Sequence, residues 1–326
     1  MMTPEEYVNE VIAFFNKHAI CRDELRFPGI IKQLKIDTQD AQEVEETHPA
    51  IAKAVKAIDK HGSLVTSQMM EEWEATSCKE DIEGGSLGKR KRIAYLKIPG
   101  VQVGEKDYIK AVGWATTGQQ LIQKMEEEGP VERWIIDLRE NTGGALGVMI
   151  AALGPFWNEG FLASFWYPRA EQPRWDYQNG SVSFEPKYPA IRYVEKPYRL
   201  KNRHVPIDVW IGPKTASAGE SLAIIFRSQE SLYVRLIGTN TGGYTTAMEA
   251  LELPDGNRVQ ISAGRTVDRN GLKYLGGVAP DKVVRKLPAS KLLLLKLQKL
   301  TARDGTLRRT VRKTPLLSCR SHIGLG

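Results

Sequence analysis

Ser217 and Glu220 lie in the stretch VPIDVWIGPKTASAGESLAIIF (205–226), where an apolar, β-branched run gives way to a helical pattern. PIDVWIG reads as a buried strand, and Gly212-Pro213-Lys214 breaks it. From Ser217 onward Leu222, Ala223, Ile225 and Phe226 supply one buried helical face. A serine at such a junction sits among unpaired backbone N–H groups at the positive end of a helix dipole. Its hydroxyl is placed to act as a nucleophile in a reaction that builds up negative charge. Ser217 followed three residues later by Glu220 is equally a capping box, so the stretch alone leaves both roles open.

Three further groups of residues bear on that choice. Gly143-Gly144 directly follows an apolar run, and its bare backbone can aim an N–H at a carbonyl oxygen as half of an oxyanion hole, or simply make a tight turn. His61 ends a helical stretch ahead of Gly62-Ser63. It is either the general base for Ser217, since imidazole titrates near neutrality, or a helix-terminal histidine beside a glycine cap. His18, His48 and His204 have no comparable setting, and His322 lies in the tail. Finally GTNTGGYTT (238–246) reads as a strand end and a glycine turn. Around Gly243, Tyr244 and Thr245 it offers backbone to which an extended peptide could add as a strand, or it is a plain polar loop.

The elements that must position these residues are legible in outline. Residues 1–78 are expected to form a small helical N-terminal subdomain that carries His61. It starts at Thr3-Pro4-Glu5-Glu6, continues through Val8, Val11, Ile12 and Phe15, and has a second helix near 50–60. Residues 79–91, with Gly84-Gly85 and a basic run, are expected as a loop. A core over 92–287 begins with IAYLKIPG as a strand. A helix follows from Tyr108 to Glu128, then a second strand, RWIIDLR (133–139), and a helix through 148–153. Residues 157–204, rich in aromatics and prolines, are expected as loops with short strands. VRLIGT (234–239) reads as a strand, and ALELPDGNRVQIS (250–262) as a hairpin about Pro254-Asp255-Gly256. Strands alternating with helices indicate an α/β core with a covered sheet. Residues 288–326 are expected as a basic tail, helical over 289–300 and disordered beyond Thr301.

With 326 residues, 41% hydrophobic and 26% charged, the chain has the composition of a globular protein of one large or two moderate domains. Its net charge of +7 resides in the tail. From Arg285 to the end there are 11 of the 46 basic residues and one acid, which leaves the body at −3. A charge run of this kind is read as a solvated segment, and no nucleic-acid partner is expected. Cys21, Cys78 and Cys319 are odd in number and form no metal spacing, so neither a disulfide framework nor a metal site is expected. No apolar run approaches the ~20 residues that cross a bilayer. The acidic opening MMTPEEYVNE is unlike a signal peptide, and a cytoplasmic setting is expected.

Taken in order, DLRENTGG (137–144), TASAGE (215–220), GTNTGGYTT (238–246), LPDG (253–256) and GVAPD (277–281) resemble the tail-specific, or C-terminal processing, protease family of S41 serine peptidases. The resemblance covers roughly residues 50–284 and is strongest to the nisin-resistance branch. It implies a crotonase-like α/β core of the ClpP/crotonase type. It also implies a Ser217–His61 dyad, an oxyanion hole from the N–H groups of Gly144 and Ala218, and orienting or substrate-contacting roles for Glu220, Gly143, Gly243, Tyr244 and Thr245. The implied activity is serine-type hydrolysis of peptide bonds in extended peptides or at peptide C-termini, without cofactor or metal. The alternative is a catalytically inactive member that binds a peptide or a small molecule. Two departures from the better-known processing proteases stand out. The turn Thr241-Gly242-Gly243-Tyr244 has no lysine, so a Ser–Lys dyad is excluded at that site, and residues 62–92 are too short for a PDZ domain.

Overall fold

The chain opens with helices whose ends the sequence writes out. In the computed structural model, which describes residues 2–75, 78–88, 92–104, 107–168, 170–229, 233–290 and 293, α1 (Pro4–His18) is capped reciprocally by Thr3 and Glu6. The Thr3 hydroxyl accepts the Glu6 N–H at 3.2 Å, and the Glu6 carboxylate accepts the Thr3 N–H at 2.8 Å. α2 (Phe27–Thr38) and α3 (His48–Ile58) pack beside it, each with a proline in its first turn. Their buried residues Tyr7, Val11, Phe15, Leu34, Ile51 and Val55 do not close on one another alone. They pack on Leu253, Val259 and Ile261, far along the chain. Residues 1–78 are therefore no purely helical, self-contained subdomain. They include a strand, β1 (Ser63–Val65), which joins a sheet built mainly from the rest of the chain, and a short helix, α4 (Ser67–Ala75).

The stretch 79–91, expected as a loop, contains β2 (Glu83–Leu87). It pairs antiparallel with β3 (Ile93–Lys97), from Glu83 opposite Lys97 to Leu87 opposite Ile93. Gly84 belongs there for a steric reason: a Cβ would lie 2.6 Å from the Tyr95 carbonyl oxygen. α5 (Tyr108–Glu127), β4 (Arg133–Asp137) and α6 (Leu146–Ala152) follow. The aromatic stretch 157–204 is more ordered than expected. β5 (Gly160–Trp166), β6 (Arg174–Gln178), β7 (Ser181–Glu185) and β8 (Tyr188–Arg192) form an antiparallel meander. Trp175 stacks on Phe184 with ring centroids 4.3 Å apart, one of the cross-strand pairs that hold it. The chain continues through β9 (Ile207–Ile211), α7 (Ala218–Arg227), β10 (Val234–Gly238), the hairpin β11 (Thr246–Glu252) and β12 (Arg258–Asp268), and β13 (Lys282–Val283).

These strands form two sheets. One has the order β13-β10-β9-β4-β3-β2, parallel except for β2. The other has the order β1-β12-β5-β6-β7-β8, with β11 also on β12. The main core lies where α5, α6 and α7 cover the first sheet, and it is lined by Trp134, Ile136, Met149, Ile207, Val209 and Phe226. β4 and β9 are largely apolar because they are central strands of a parallel sheet, and Asp208 inside β9 is paired with Arg133 and Arg235. The strands β4, β9 and β10 are neighbours that end level, with Asp137 opposite Trp210 and Ile211 opposite Gly238. The loops leaving their carboxyl ends therefore meet, at the place where open α/β sheets bind ligands. Among the described residues no helix is long and apolar enough to cross a membrane. The helix expected over 289–300 and the disorder expected beyond Thr301 fall largely outside the described residues.

Candidate active site

Ser217 leaves the carboxyl end of β9 and opens α7. Its backbone adopts φ 52° and ψ −121°, a positive-φ conformation that L side chains rarely take. An ordinary N-cap residue sits in the extended region, so capping does not account for this geometry. A conformation of this kind costs ~1–3 kcal/mol and persists only where the surroundings enforce it. The Ser217 N–H donates to Glu220 Oε2 at 3.2 Å, and the Ser217 carbonyl accepts the N–H groups of Glu220 and Ser221 at 2.9 and 3.1 Å. The residue therefore does start the helix, in a capping-box arrangement with Glu220, but from a strained turn and with its side chain half-buried.

The turn after β4 is pressed against this serine. Gly143 and Gly144 have φ of 108° and 112°. A Cβ on Gly143 would stand 2.7 Å from Ser217 Cβ and 3.2 Å from the Ala218 nitrogen, and one on Gly144 would stand 2.0 Å from the Val101 carbonyl oxygen. Glycine is thus demanded twice, once by the Ser217 turn and once by the bridging backbone at Val101. Val101 N–H donates to the Gly143 carbonyl at 3.1 Å, and Ala145 N–H donates to the Val101 carbonyl at 2.7 Å. Among the described residues neither the Gly144 N–H nor the Ala218 N–H has an intramolecular backbone acceptor. Both are available to a developing oxyanion.

Two residues that the sequence reading passed over lock the turns together. Asn141 is fully buried. Its Oδ1 accepts the Gly143 N–H at 2.9 Å, its carbonyl accepts the Ala216 N–H at 3.0 Å, and its Nδ2 donates to the carbonyls of Ile98 and Pro99 at 3.2 and 3.1 Å. Thr215, also fully buried, donates through Oγ1 to the Leu138 carbonyl at 2.8 Å, and its carbonyl accepts the Gly242 N–H at 2.9 Å. Buried Asn and Thr inside glycine-rich turns are the signal that could have flagged them, because a buried polar side chain must find partners.

Glu220 is fully buried as well and accepts four hydrogen bonds. They come from the backbone N–H groups of Ser217 (3.2 Å), Gly243 (2.8 Å) and Tyr244 (2.6 Å) and from the Thr241 hydroxyl. Burial raises its pKa, and the four donors oppose that shift. Its carboxylate joins the Ser217 turn to the glycine turn after β10. Of the two readings left open for this turn, the commitment of its N–H groups favours the polar loop over a backbone free to pair with a substrate strand. The Gly243 and Tyr244 N–H groups are committed to Glu220, and the Thr245 carbonyl accepts the Thr266 N–H at 2.9 Å. Thr245 itself is buried and donates inward to the Gly276 carbonyl at 2.5 Å.

His61 follows α3 and approaches the site across this turn. Its ring meets Tyr244 edge-on, with centroids 5.2 Å apart and planes at 70°. Nδ1 lies 2.7 Å from Thr246 Oγ1. Burial lowers its pKa from 6.5 to about 4, helped by Lys56 and Lys60 and opposed by Asp59, so the ring is neutral at pH 7. The half-buried imidazole is held by Thr246, and it makes no hydrogen bond to Ser217. Lys60 reaches the turn that lacks a lysine of its own, with Nζ 2.9 Å from the Gly242 carbonyl and 4.5 Å from the Tyr244 ring centroid. The structure thus brings Ser217, Gly143, Gly144, Ala218 and Glu220 into one cluster, with His61 across Tyr244 from it. Among the described residues no group of histidine, cysteine or carboxylate side chains could hold a metal ion.

Comparison with known proteins agrees with this arrangement. The nisin-resistance protein of Lactococcus lactis subsp. lactis is 25% identical over 301 residues, covering 91% of this chain and 88% of that protein. A lipoprotein from Streptococcus agalactiae has the same fold with a TM-score of 0.72 at 21% identity, over 93% of this chain and 96% of that one. The photosystem II D1 C-terminal processing protease superimposes with a TM-score of 0.56 at 12% identity, over 87% of this chain and 94% of that one. The sequence model of peptidase family S41 matches residues 92–284, which contain Ser217, the Gly143-Gly144 turn and five of the six strands of the first sheet, all but β2. The chain therefore belongs to peptidase family S41.

Proposed function

We infer that the protein is a serine-type peptidase in which Ser217 is the nucleophile and His61 its base. The observation that carries this reading is the positive φ of Ser217. A capping serine has no need of that strain. A nucleophile that must stand clear of its helix, beside two unpaired N–H groups, does need it. In the reaction His61 Nε2 takes the Ser217 hydroxyl proton as Oγ attacks a peptide carbonyl carbon. The N–H groups of Gly144 and Ala218 receive the oxyanion, and His61 returns the proton to the departing amine. Water, deprotonated by the same nitrogen, then releases the acyl group. The missing Ser217–His61 hydrogen bond is compatible with this, because such bonds tighten when substrate binds.

A neighbouring cleft, whose lining does not include Ser217 or His61, is the candidate seat for an extended peptide. This cleft of about 410 Å³, lined by Met70, Trp73, Val103, Arg258 and Gln260 among others, runs between α4 and β12. Val103 follows Val101, which carries the oxyanion turn, and Gln260 pairs with Ser63, two residues past His61. The second reading, an inactive member that binds peptides in the same cleft, draws on the absent dyad bond. Kinetics on a peptide library separate the two. Hydrolysis that disappears in Ser217→Ala and falls steeply in His61→Ala supports the peptidase, while binding without turnover by the unaltered protein supports the other.

A further inference from the structure

The His61 ring is held by one nitrogen, and that hold leads back to a carboxylate. Nδ1 is 2.7 Å from Thr246 Oγ1, Thr246 Oγ1 is 2.9 Å from Ser262 Oγ, and Ser262 Oγ is 2.7 Å from Asp59 Oδ1. Asp59 Oδ1 also accepts the His61 backbone N–H at 2.9 Å, so the chain of contacts closes on its starting residue. Thr246 and Ser262 are both buried. Met248 Sδ, 3.7 Å from Ser262 Oγ and 4.0 Å from Thr246 Oγ1, is too weak an acceptor to compete.

The direction of every bond follows from counting protons. A carboxylate only accepts, so Ser262 spends its single hydroxyl proton on Asp59. Ser262 can then only accept from Thr246, and Thr246 can only accept from His61. The imidazole proton is therefore on Nδ1, and Nε2 carries the lone pair. We propose that Asp59, Ser262 and Thr246 form a hydroxyl-relayed orienting chain that fixes His61 as its Nδ1–H tautomer and keeps Nε2 as the base for Ser217. The three are positioning residues and touch no substrate. The inference rests on the peptidase reading of Ser217 and His61.

In the familiar triad a carboxylate meets the imidazole directly and stabilises the imidazolium that forms when the nucleophile is deprotonated. Here the carboxylate stands two hydroxyls away, and its charge reaches the ring through aligned O–H dipoles. No proton travels along them: the Ser217 proton goes to Nε2 and from there to the leaving amine. The fold builds the relay from two distant parts. Asp59 caps the end of α3, its N–H donating to the Val55 carbonyl at 3.2 Å. Thr246 and Ser262 meet across β11 and β12, where the register shifts between Ala247 and Met248, which pair with Gly264 and Ser262. The shift leaves Ala263 unpaired and turns both hydroxyls to one side. The charged groups acting on the ring are Asp59, Lys56 and Lys60 from the end of α3. Tyr244 packs on it from the glycine turn, and β11 and β12 face it with neutral hydroxyls.

Long-range ¹H–¹⁵N NMR of the full chain with ¹⁵N-labelled histidine reads the tautomer at neutral pH without any turnover. The expected spectrum shows His61 Nδ1 at the frequency of a protonated ring nitrogen and Nε2 at that of a bare one. Thr246→Val keeps the shape and removes the hydroxyl. It is expected to mix the tautomers and lower kcat by about ten- to a hundredfold with KM little changed, and Thr246→Ser should restore both. Ser262→Ala should act in the same direction as Thr246→Val. A wild-type Nε2–H tautomer, or a Thr246→Val protein with unchanged tautomer and kcat, overturns the relay. A wild-type protein that neither hydrolyses peptides nor is modified at Ser217 would instead remove the base role along with the peptidase reading. The tautomer, measured separately, would still stand or fall by its own spectrum.

Discussion

At the scale of single residues the site is a set of backbone conformations that side chains hold against their own preference. Gly143 faces Ser217 Cβ so closely that Gly143→Ala must displace Ser217 or the Ala218 N–H. The expected outcome is a folded protein whose kcat/KM on a peptide substrate is lower by ~10²–10³, the usual cost of a lost oxyanion donor. The pH profile tests His61. A base whose pKa is lowered to about 4 stays competent far below the ordinary imidazole value of 6.5. The acid limb of kcat/KM is therefore expected near pH 4, and a limb near 6.5 would contradict the buried base. Stability should follow the same proton. Between 6.5 and about 4 the unfolded chain binds it more readily, so the stability contributed above that window is lost as the pH falls through it. Ser217, Gly143 and Gly144 were legible in the sequence because their types imply unusual backbone at a strand end. Thr246 and Ser262 were not, since each looks like any strand residue until the hairpin places it beside His61.

At the scale of elements the carboxyl ends of β4, β9 and β10 carry the three loops, and Glu220 ties two of them. Its four donors leave no room for an amide. In Glu220→Gln the NH₂ group faces backbone N–H donors whichever way it turns, so at least one donor goes unpaired. A loss of at least ~2 kcal/mol in urea unfolding, with a fall in activity, is expected. The sequence showed these strands well, because buried parallel strands are short, mostly apolar runs. It misread β2, and it gave short strands over 157–204 without the meander they form as β5–β8. Gly84-Gly85 are poor strand formers in isolation and are held by the ladder with β3. The meander mixes prolines and aromatics without clean alternation, and pairing between strands decides it.

At the scale of the whole molecule His61 and Ser217 come from distant parts of the chain, joined through a shared core. The N-terminal helices rest on Leu253, Val259 and Ile261 of the β11–β12 hairpin, and the Tyr7 hydroxyl donates to Asp255 at 2.8 Å at its tip. Ile261→Ala should cost ~2–5 kcal/mol by leaving a cavity in that shared core. Because β12 also carries Ser262, catalysis should weaken before global unfolding is reached, which parallel activity and circular dichroism melts would show. That the first helices need a hairpin from the other end of the chain could not be read from their own pattern, which shows an apolar face and not its partner. The central claim, that Ser217 is an activated nucleophile, is met most directly by intact-mass and peptide-mapping spectrometry after exposure to a fluorophosphonate. The account predicts one adduct, on Ser217, absent from Ser217→Ala and strongly slowed in His61→Ala. An unmodified wild-type protein, or an adduct that persists in Ser217→Ala, would contradict it.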